Sequence, residues 1–421
     1  MVQWLHPCGH EENMDHVNSR GMKDLVISFD FPPEIGGAHK WLYEVYRRWP
    51  VRVDVLTHCY SPNDIEAESG RNFDAADHGA LRIFRSIHRY GDLSVLNPRF
   101  LWALFQCRRQ AQKISNSIPL RLHALRAFPE GFAAYVVQRT TRVPTTLVTY
   151  AHGEELLVAS SSRQLMQMTR MAYGNSSLVI ANSEHTRQAV LDIAPGVRTE
   201  VIHPGVDCAS LESPVGAGQQ WRADFGWPAE TVIVLTLGRM EPRKNHAGVM
   251  RAIGRLHKKG LKIGFVCAGD GPERPAIMSL AESEGIAPWV RFPGAVDDSK
   301  KRHLFAAADI FAMPSVRVGA MIEGFGIVFL EAAAAGLPVI CGNSGGQPEA
   351  VKDGITGRVI DGTNVESIAH AIEELAINHD RRTSMGNAGR AWAQQHEWNM
   401  VVTATLAALE RQADVQVLAA Q

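Results

Sequence analysis

Short hydrophobic runs rich in Val, Ile and Leu recur along the first half of the chain, and each is followed by a segment whose apolar residues have helical spacing. Such runs are typical of strands buried on both faces, and their alternation with helices predicts a parallel sheet with helices on both sides. The predicted strands of this sheet are residues 25–29, 51–56, 81–84, 120–125, 145–150 and 177–181.

The same alternation restarts after a break and predicts a second parallel sheet. Its strands are expected at residues 231–238, 263–269, 289–294, 309–315 and 337–342. The break, residues 204–221, is rich in Pro, Gly and Ser and lacks periodicity, as is typical of a linker. A chain of 421 residues is also too long for one ordinary core. We therefore predict an α/β fold with two Rossmann-like doubly wound domains, residues 23–210 and 211–390, facing each other across a cleft.

The polar start of the chain, residues 1–22, lacks the apolar centre of a secretion signal, and we predict a disordered extension there. No run approaches the roughly 18 apolar residues that a membrane-spanning helix needs. The six cysteines are scattered without metal-ligand spacing, as is typical of reduced thiols. These features favour a cytoplasmic location. The net charge of −1 gives no global reason to expect a nucleic-acid partner, so an anionic ligand must meet a local cluster of cations.

Two segments that follow predicted strands have the residue types of a phosphate site. Gly36 and Gly37 open a predicted helix, where backbone N–H groups can approach an anion, although a plain tight turn explains the pair equally well. Arg239 and Lys244 stand just before another predicted helix, where the helix dipole disfavours cations by up to about 1 kcal/mol unless an anion lies between them. We interpret these two cations as a phosphate clamp. The alternative is a structural salt bridge from Arg239 to Glu241.

A third segment places one carboxylate on each side of a turn that contains glycines and leads into an apolar helix. Glu323 and Glu331 lie at its ends, and the helix is expected to start near Gly326. The free N–H groups of Gly326, Ile327 and Val328 would then bind phosphate. Carboxylates accept hydrogen bonds from sugar hydroxyls, so Glu331 is predicted to hold a ribose and Glu323 a transferred sugar. The alternative is two acids placed favourably near a helix N-terminus.

The segment from Glu323 to Glu331 resembles the E-x7-E signature of retaining nucleotide-sugar glycosyltransferases of family 4, which have the two-domain GT-B architecture. The resemblance covers roughly residues 23 to 410. Its motifs occur in family order at residues 36–37, 152–156, 181–187, 201–207, 237–245, 267–274 and 342–351.

This resemblance implies a role for each matching residue. Arg239 and Lys244 would bind the donor diphosphate, with backbone donors from Gly37 and the amides after Gly326. Glu331 would bind the ribose and Glu323 the sugar. His123 would reach the reacting sugar from the first domain, and Val296 would line the base pocket. The first domain would bind the acceptor and the second the donor, with the helix at residues 391–419 packing back onto the first domain.

The residues also suggest how the reaction would proceed. No metal-binding D-x-D pair follows a strand in the donor region, so the sequence predicts catalysis with neither a metal nor another cofactor, and cations and helix dipoles would neutralise the leaving diphosphate. The family retains anomeric configuration, most simply by same-face attack in which the departing phosphate takes the acceptor's proton. Glu323 would position the sugar rather than form a covalent intermediate.

The acceptor side includes a basic stretch, residues 85–113. It contains one acid, Asp92, and the following cationic and apolar side chains: Arg85, Arg89, Arg99, Phe100, Leu101, Trp102, Phe105, Arg108, Arg109 and Lys113. The stretch resembles an amphipathic surface that meets anionic lipid at the inner membrane face, or an ordinary helix with its apolar stripe in the core.

The donor is expected to be a GDP- or UDP-sugar. Residues 315–328 resemble members that use GDP-mannose on a phosphatidylinositol-type acceptor, so we predict transfer of a hexosyl, specifically mannosyl, group to a glycan, lipid or small-molecule acceptor. One alternative is an isomerase of the nucleotide-sugar 2-epimerase kind, against which the E-x7-E spacing argues. The other is a non-catalytic sugar-nucleotide-binding protein, which Arg239, Lys244 and Glu323 disfavour.

Overall fold

The computed structural model describes residues 17–33, 36–60, 66–89, 97–153, 159–214 and 216–420. Most of the predicted N-terminal extension, residues 1–16, lies outside the described residues. Within them the chain forms two fully parallel sheets, which confirms the predicted fold class. Strands such as Val53–His58 and Ile263–Ala268 are buried along their whole length, as β-branched runs covered by helices on both faces should be.

The first sheet has the strand order β3-β2-β1-β4-β5-β6-β7. Its strands are β1 (Lys23–Ile27), β2 (Val53–His58), β3 (Leu81–Ile87), β4 (Leu120–Ala124), β5 (Thr145–Ala151), β6 (Leu178–Ala181) and β7 (Thr199–Val201). Its helices are α1 (Gly37–Tyr46), α2 (Glu66–Asp74), α3 (Pro98–Ser115), α4 (Phe132–Thr140), α5 (Arg163–Gly174) and α6 (Glu184–Ile193).

The second sheet repeats this winding in the order β10-β9-β8-β11-β12-β13. Its strands are β8 (Val232–Leu237), β9 (Ile263–Ala268), β10 (Val290–Gly294), β11 (Ile310–Met313), β12 (Val339–Gly342) and β13 (Gly357–Ile360). The helices of this half are α7 (Ala217–Phe225), α8 (His246–Lys258), α9 (Arg274–Ser283), α10 (Asp298–Ala307), α11 (Ile327–Ala334), α12 (Gln347–Ala350), α13 (Val365–Ile377) and α14 (His379–Gln394), and α15 (Trp398–Ala420) ends the chain.

Each sheet reverses its strand order at one point, between β1 and β4 in the first and between β8 and β11 in the second. Ligands of doubly wound sheets bind outside the carboxyl ends of the strands at such points. The segments that leave these strands are therefore the candidate ligand-binding segments. They include the Gly36–Gly37 turn, the residues after Ala124, the loop at 238–245 and the loop at 314–326.

The chain crosses between the domains twice, and the two crossings lie side by side. Val206 N donates a hydrogen bond to His396 O (2.8 Å). Trp398 begins α15 and joins the core of the first domain, so the returning helix starts there and not at residue 391 as predicted. Trp392 still packs against the second domain. A Cβ on Gly205 would lie 2.7 Å from the Trp398 ring, so only glycine fits beside this crossing.

Candidate active site

Glu323 is the centre of a charged cluster on the second domain. Lys244 Nζ donates to Glu323 Oε2 at 2.5 Å, and Arg243 Nη1 donates to the same oxygen at 2.8 Å. Burial raises the pKa of this carboxyl, but the charges of Lys244 and Arg243 outweigh burial and hold that pKa below its usual value. In the described part of the chain, no side chain or backbone group donates to Oε1. The acid is therefore ionised, held at one oxygen and able to accept hydrogen bonds at the other.

The backbone after β8 is locked into the shape that presents these cations. Asn245 has left-handed backbone geometry (φ 59°), and its side chain accepts from Gly248 N at the start of α8. The same side chain donates to Pro314 O and Gly362 O, and Val316 N donates to Arg243 O. The loop after β8 is thus tied to the loop after β11, which carries Glu323.

The two cations of the predicted clamp, Arg239 and Lys244, lie on the same loop but differ in their contacts. Arg239 is exposed and forms no ion pair within the described residues, whereas Arg243 lies beside Lys244 on Glu323. The alternative pairing of Arg239 with Glu241 is also not found, because Glu241 pairs with Arg243 (2.8 Å). Arg243 is the cation that sequence reasoning missed.

Glu331 forms a second cluster, one turn into α11. Gly326 precedes this helix in left-handed geometry (φ 91°), as expected for a helix that starts near that residue. Lys40 Nζ donates to Glu331 Oε1 at 2.6 Å, and Lys301 Nζ donates to the same oxygen at 2.9 Å. Burial raises the pKa of Glu331, and the two lysines lower it further than burial raises it. No group in the described ranges donates to Oε2.

The starts of α1 and α11 face each other across the domain boundary. A Cβ on Gly37 would meet Ile327 Cδ1 at 3.8 Å, and the Ile327 side chain packs against the first domain's core. Gly36 precedes α1 in extended geometry. Val328 packs instead on the second domain's core, as does Val296 in the loop after β10. The predicted phosphate-binding amides thus lie between the domains, while the base-pocket role of Val296 stays a prediction.

Gly324, between the two acids, is required by contact between the domains. A Cβ on Gly324 would lie 1.9 Å from His152 O, and one on Gly346 would lie 2.0 Å from Gly324 O. Nearby, Glu349 accepts from the N–H groups of Glu184 and His185 at the start of α6 and from His203 Nε2. Residues 154–156 of the adjoining predicted motif lie outside the described residues.

His123 does not reach the cleft, and its predicted catalytic role is not supported. It is fully buried, one residue before the carboxyl end of β4, and its side chain contacts the C-terminal end of α1 inside the core. Its Nε2 donates to Asp24 Oδ1 (3.0 Å), and its Nδ1 is hydrogen-bonded to the Tyr46 hydroxyl (2.6 Å). Burial lowers the pKa of His123. Both nitrogens are occupied, so the residue serves the core.

The described residues contain neither a cluster of metal-ligating side chains nor a membrane-spanning helix. No three His, Cys, Asp or Glu side chains come together in a set that could ligate a metal ion. No helix there is long and apolar enough to cross a membrane.

Comparison with known proteins identifies the family of this site. Residues 35–210 match the model described as Glycosyltransferase Family 4, and residues 218–392 match Glycosyl transferases group 1. A GDP-mannose-dependent alpha-(1-6)-phosphatidylinositol monomannoside mannosyltransferase from Mycobacterium tuberculosis is 32% identical over 382 residues, covering 89% of this chain and 94% of the relative. The protein of that name from Mycolicibacterium smegmatis is 34% identical over 373 residues, covering 88% and 93%.

Solved structures share the architecture at lower identity. HepE from Anabaena, crystallised with UDP and glucose, superimposes with a TM-score of 0.75 at 20% identity, covering 93% of this chain and all of that chain (100%). Sucrose-phosphate synthase from Thermosynechococcus elongatus gives 0.72 at 19% identity, covering 95% and 100%. The chain is a glycosyltransferase and belongs to family 4, with the GT-B fold.

Proposed function

We propose that the protein transfers a mannosyl group from GDP-mannose to a phosphatidylinositol mannoside or a similar lipid-linked acceptor, with retention and without a metal. The observation that carries this proposal is the pair of buried, ionised acids Glu323 and Glu331. Each is held by two cations at one oxygen and has the other open. The names of the relatives in mycobacteria support the choice of donor and acceptor.

In this proposal each cluster has one task. The open oxygen of Glu331 accepts hydrogen bonds from ribose hydroxyls, and that of Glu323 accepts them from the transferred mannose. Lys244 and Arg243 neutralise the charge that grows on the leaving diphosphate, together with the first N–H groups of α11. Arg239 is exposed at the start of the same loop and contributes less to neutralising the diphosphate. These fixed charges take the part that a divalent cation plays in other transferases.

Retention follows if attack and departure occur on one face of the sugar. The bond between the anomeric carbon and the diphosphate oxygen breaks, and the acceptor oxygen bonds to that carbon on the same side. The acceptor's proton passes to the departing phosphate oxygen, so the chain needs no general base. Glu323 orients the mannose during this exchange.

The proposal also includes contact with an anionic membrane through α3. Leu101, Trp102 and Phe105 are 53%, 51% and 44% exposed, and the last two rings stack at 5.2 Å. The exposed cations of this helix are Arg99, Arg109 and Lys113. Phe100, by contrast, is buried in the first domain's core. An apolar face rimmed with cations fits an anionic lipid surface.

Not every cation of the predicted basic stretch faces outward. Arg85 is occupied by Asp74 and Pro32 O, and Arg108 Nε donates to Thr140 O at 3.4 Å. Asp92 lies outside the described residues. The surface is therefore narrower than residues 85–113 and is centred on one helix.

Mannosyl transfer is tested directly with GDP-mannose and phosphatidylinositol monomannoside in mixed micelles. We expect one added hexose by mass spectrometry and an α linkage by NMR, and no product when UDP-glucose replaces the donor. Glu323→Gln is the inactive control. A new nucleotide-sugar formed without acceptor would indicate an isomerase. Tight GDP-mannose binding without any transfer would favour a non-catalytic binding protein.

Membrane contact is tested by vesicle flotation. The protein should float with vesicles that contain phosphatidylinositol and not with pure phosphatidylcholine. The double variant Trp102→Ser/Phe105→Ser should lose flotation, while Met278→Ser, at another exposed apolar residue, should keep it. Equal flotation of all three proteins would contradict a role for α3.

A further inference from the structure

Lys40 is a first-domain cation that reaches into the second domain. It lies in the first turn of α1, three residues after Gly37, and its ammonium contacts Glu331 Oε1 at 2.6 Å. A cation in the first turn opposes the helix dipole by a few tenths to about 1 kcal/mol. The position therefore calls for an anion nearby.

Glu331 does not depend on Lys40 for charge compensation. Lys301 already donates to Glu331 from within the second domain and is fixed by a second contact with Asp298 (2.7 Å). The Lys301 side chain is 11% exposed, whereas that of Lys40 is 35% exposed. Lys301 is thus the more buried partner of Glu331 and is held by two acids, whereas Lys40 is more exposed and comes from the other domain.

The surroundings of Lys40 favour an anionic ligand. The first turns of α1 and α11 face each other there, and neither contains an acidic residue. Two positive helix ends and a partly exposed ammonium thus meet between the domains, next to the acid that we assign to the ribose. The diphosphate is the part of the donor that follows the ribose.

We propose that Lys40 is a donor-binding residue that exchanges partners: it holds Glu331 when the site is empty and turns to the diphosphate when ribose hydroxyls occupy Glu331. This inference rests on the proposed function. It makes the first domain a contributor to the donor site. Because the ammonium is released from Glu331 only when ribose arrives, contacts to nucleoside and to phosphate are coupled through one side chain.

The exchange is tested by calorimetry of the full chain with GDP, GMP and guanosine. In Lys40→Met, the affinity for GDP should fall at least about ten-fold relative to that for guanosine, because a charge-assisted contact to phosphate is lost while the competitor for Glu331 is removed. Lys40→Arg should restore most of the difference. Lys300→Met, at an exposed lysine next to Lys301, should behave like the wild type.

Other outcomes separate this inference from the proposed function. An equal gain in affinity for all three ligands in Lys40→Met would mean that Lys40 only competes with the ribose for Glu331. Unchanged affinities would mean that Lys40 neither competes for Glu331 nor binds the diphosphate. Both results overturn the exchange and leave the transferase intact. If the wild type binds UDP instead of GDP, the donor assignment fails, and the same comparison is made with UDP, UMP and uridine. Thermal unfolding of each variant confirms that it is folded.

Discussion

The two domains each bury a cluster of opposite charges, and the clusters differ in how fully their oxygens are used. In the first domain, both oxygens of Asp24 accept hydrogen bonds: Oδ1 from Arg121 and His123, Oδ2 from Arg121 and Trp49. In the second, Glu323 and Glu331 each accept from two cations at a single oxygen. A saturated cluster has no capacity for a ligand, whereas a half-used carboxylate does. Saturation, more than burial, thus distinguishes a structural charge from a binding charge.

The largest expected effect is the loss of protein stability when the saturated cluster around Asp24 is broken. Asp24→Ala should lower the free energy of unfolding by about 3–5 kcal/mol, because Arg121 is left as an unpaired buried charge. Chemical denaturation measures this loss. Asp54→Ala, whose partner Arg82 is largely exposed, is the control and should lose less. A loss of unfolding free energy for Asp24→Ala no larger than that for Asp54→Ala would contradict a structural role for the saturated cluster.

The stability that the Asp24 cluster supplies should also depend on pH. Burial raises the pKa of Asp24, but His123 and Arg121 pull it well below its ordinary value. A group with a lowered pKa in the folded state stabilises above its unfolded pKa and loses that contribution as pH falls toward the folded one. Stability attributable to Asp24 should therefore decline below about pH 4 in the wild type, and Asp24→Asn should lack that part of the decline.

The next largest effect is on turnover at the half-used cluster. Lys244→Ala should lower kcat about 100-fold or more while changing unfolding little, because a preorganised charge on the leaving group is lost. Lys258→Ala, at an exposed ion pair, is the control. Steady-state assays with GDP-mannose provide the measurement, and a rate within a few-fold of wild type would contradict the clamp. Arg239→Ala should cost less than Lys244→Ala because Arg239 lies outside the cluster.

A smaller effect separates the two half-used acids from each other. Glu331→Gln should weaken GDP binding about ten-fold, because GDP contains the ribose that Glu331 is proposed to contact. Glu323→Gln should leave GDP binding nearly unchanged and lower turnover, because its ligand is the sugar. Calorimetry with GDP distinguishes them. Equal losses of affinity would show that the acids do not have separate tasks.

The smallest expected effect is that of chelation. Excess EDTA should leave mannosyl transfer largely intact, since Lys244, Arg243 and the start of α11 are assigned the neutralising role. Activity is compared before and after dialysis against EDTA, with Mg²⁺ or Mn²⁺ added back. Complete loss that either ion restores would overturn the metal-independent mechanism.

Much of the fold could be predicted because hydrophobic runs report burial directly. The two strands that the pattern missed, β7 and β13, have three and four residues and lie at sheet edges, where most of their side chains are only partly buried and the hydrophobic pattern is weak. The sequence draws attention to Glu323, Glu331 and Lys244 because a charge beside a helix start is visible in it, and their roles stay predictions. Lys40 also stands beside a helix start, that of α1.

The structure departs from the predicted arrangement of the site where the direction of a side chain decides which residues meet. The family resemblance implies a place for His123 beside the reacting sugar, yet whether a side chain on β4 enters the cleft or the core depends on how the strand packs against α1. The predicted clamp leaves out Arg243, which also precedes α8, because the turn that Asn245 sets cannot be read from residue types. Lys301 was missed because its contact with Glu331 spans two helices.

The crossing at Val206 and His396 has a consequence for the order in which the chain can fold as it is synthesised. The first domain is the first to leave the ribosome, but its core lacks Trp398, Val401 and Val402 until α15 has been made. The second domain lies in the sequence between the first domain and α15. It can therefore finish folding before the core of the first domain is complete. A chain cut after Gln394 would leave the apolar surface under α15 exposed to solvent. The first domain, and not the second, would lose stability.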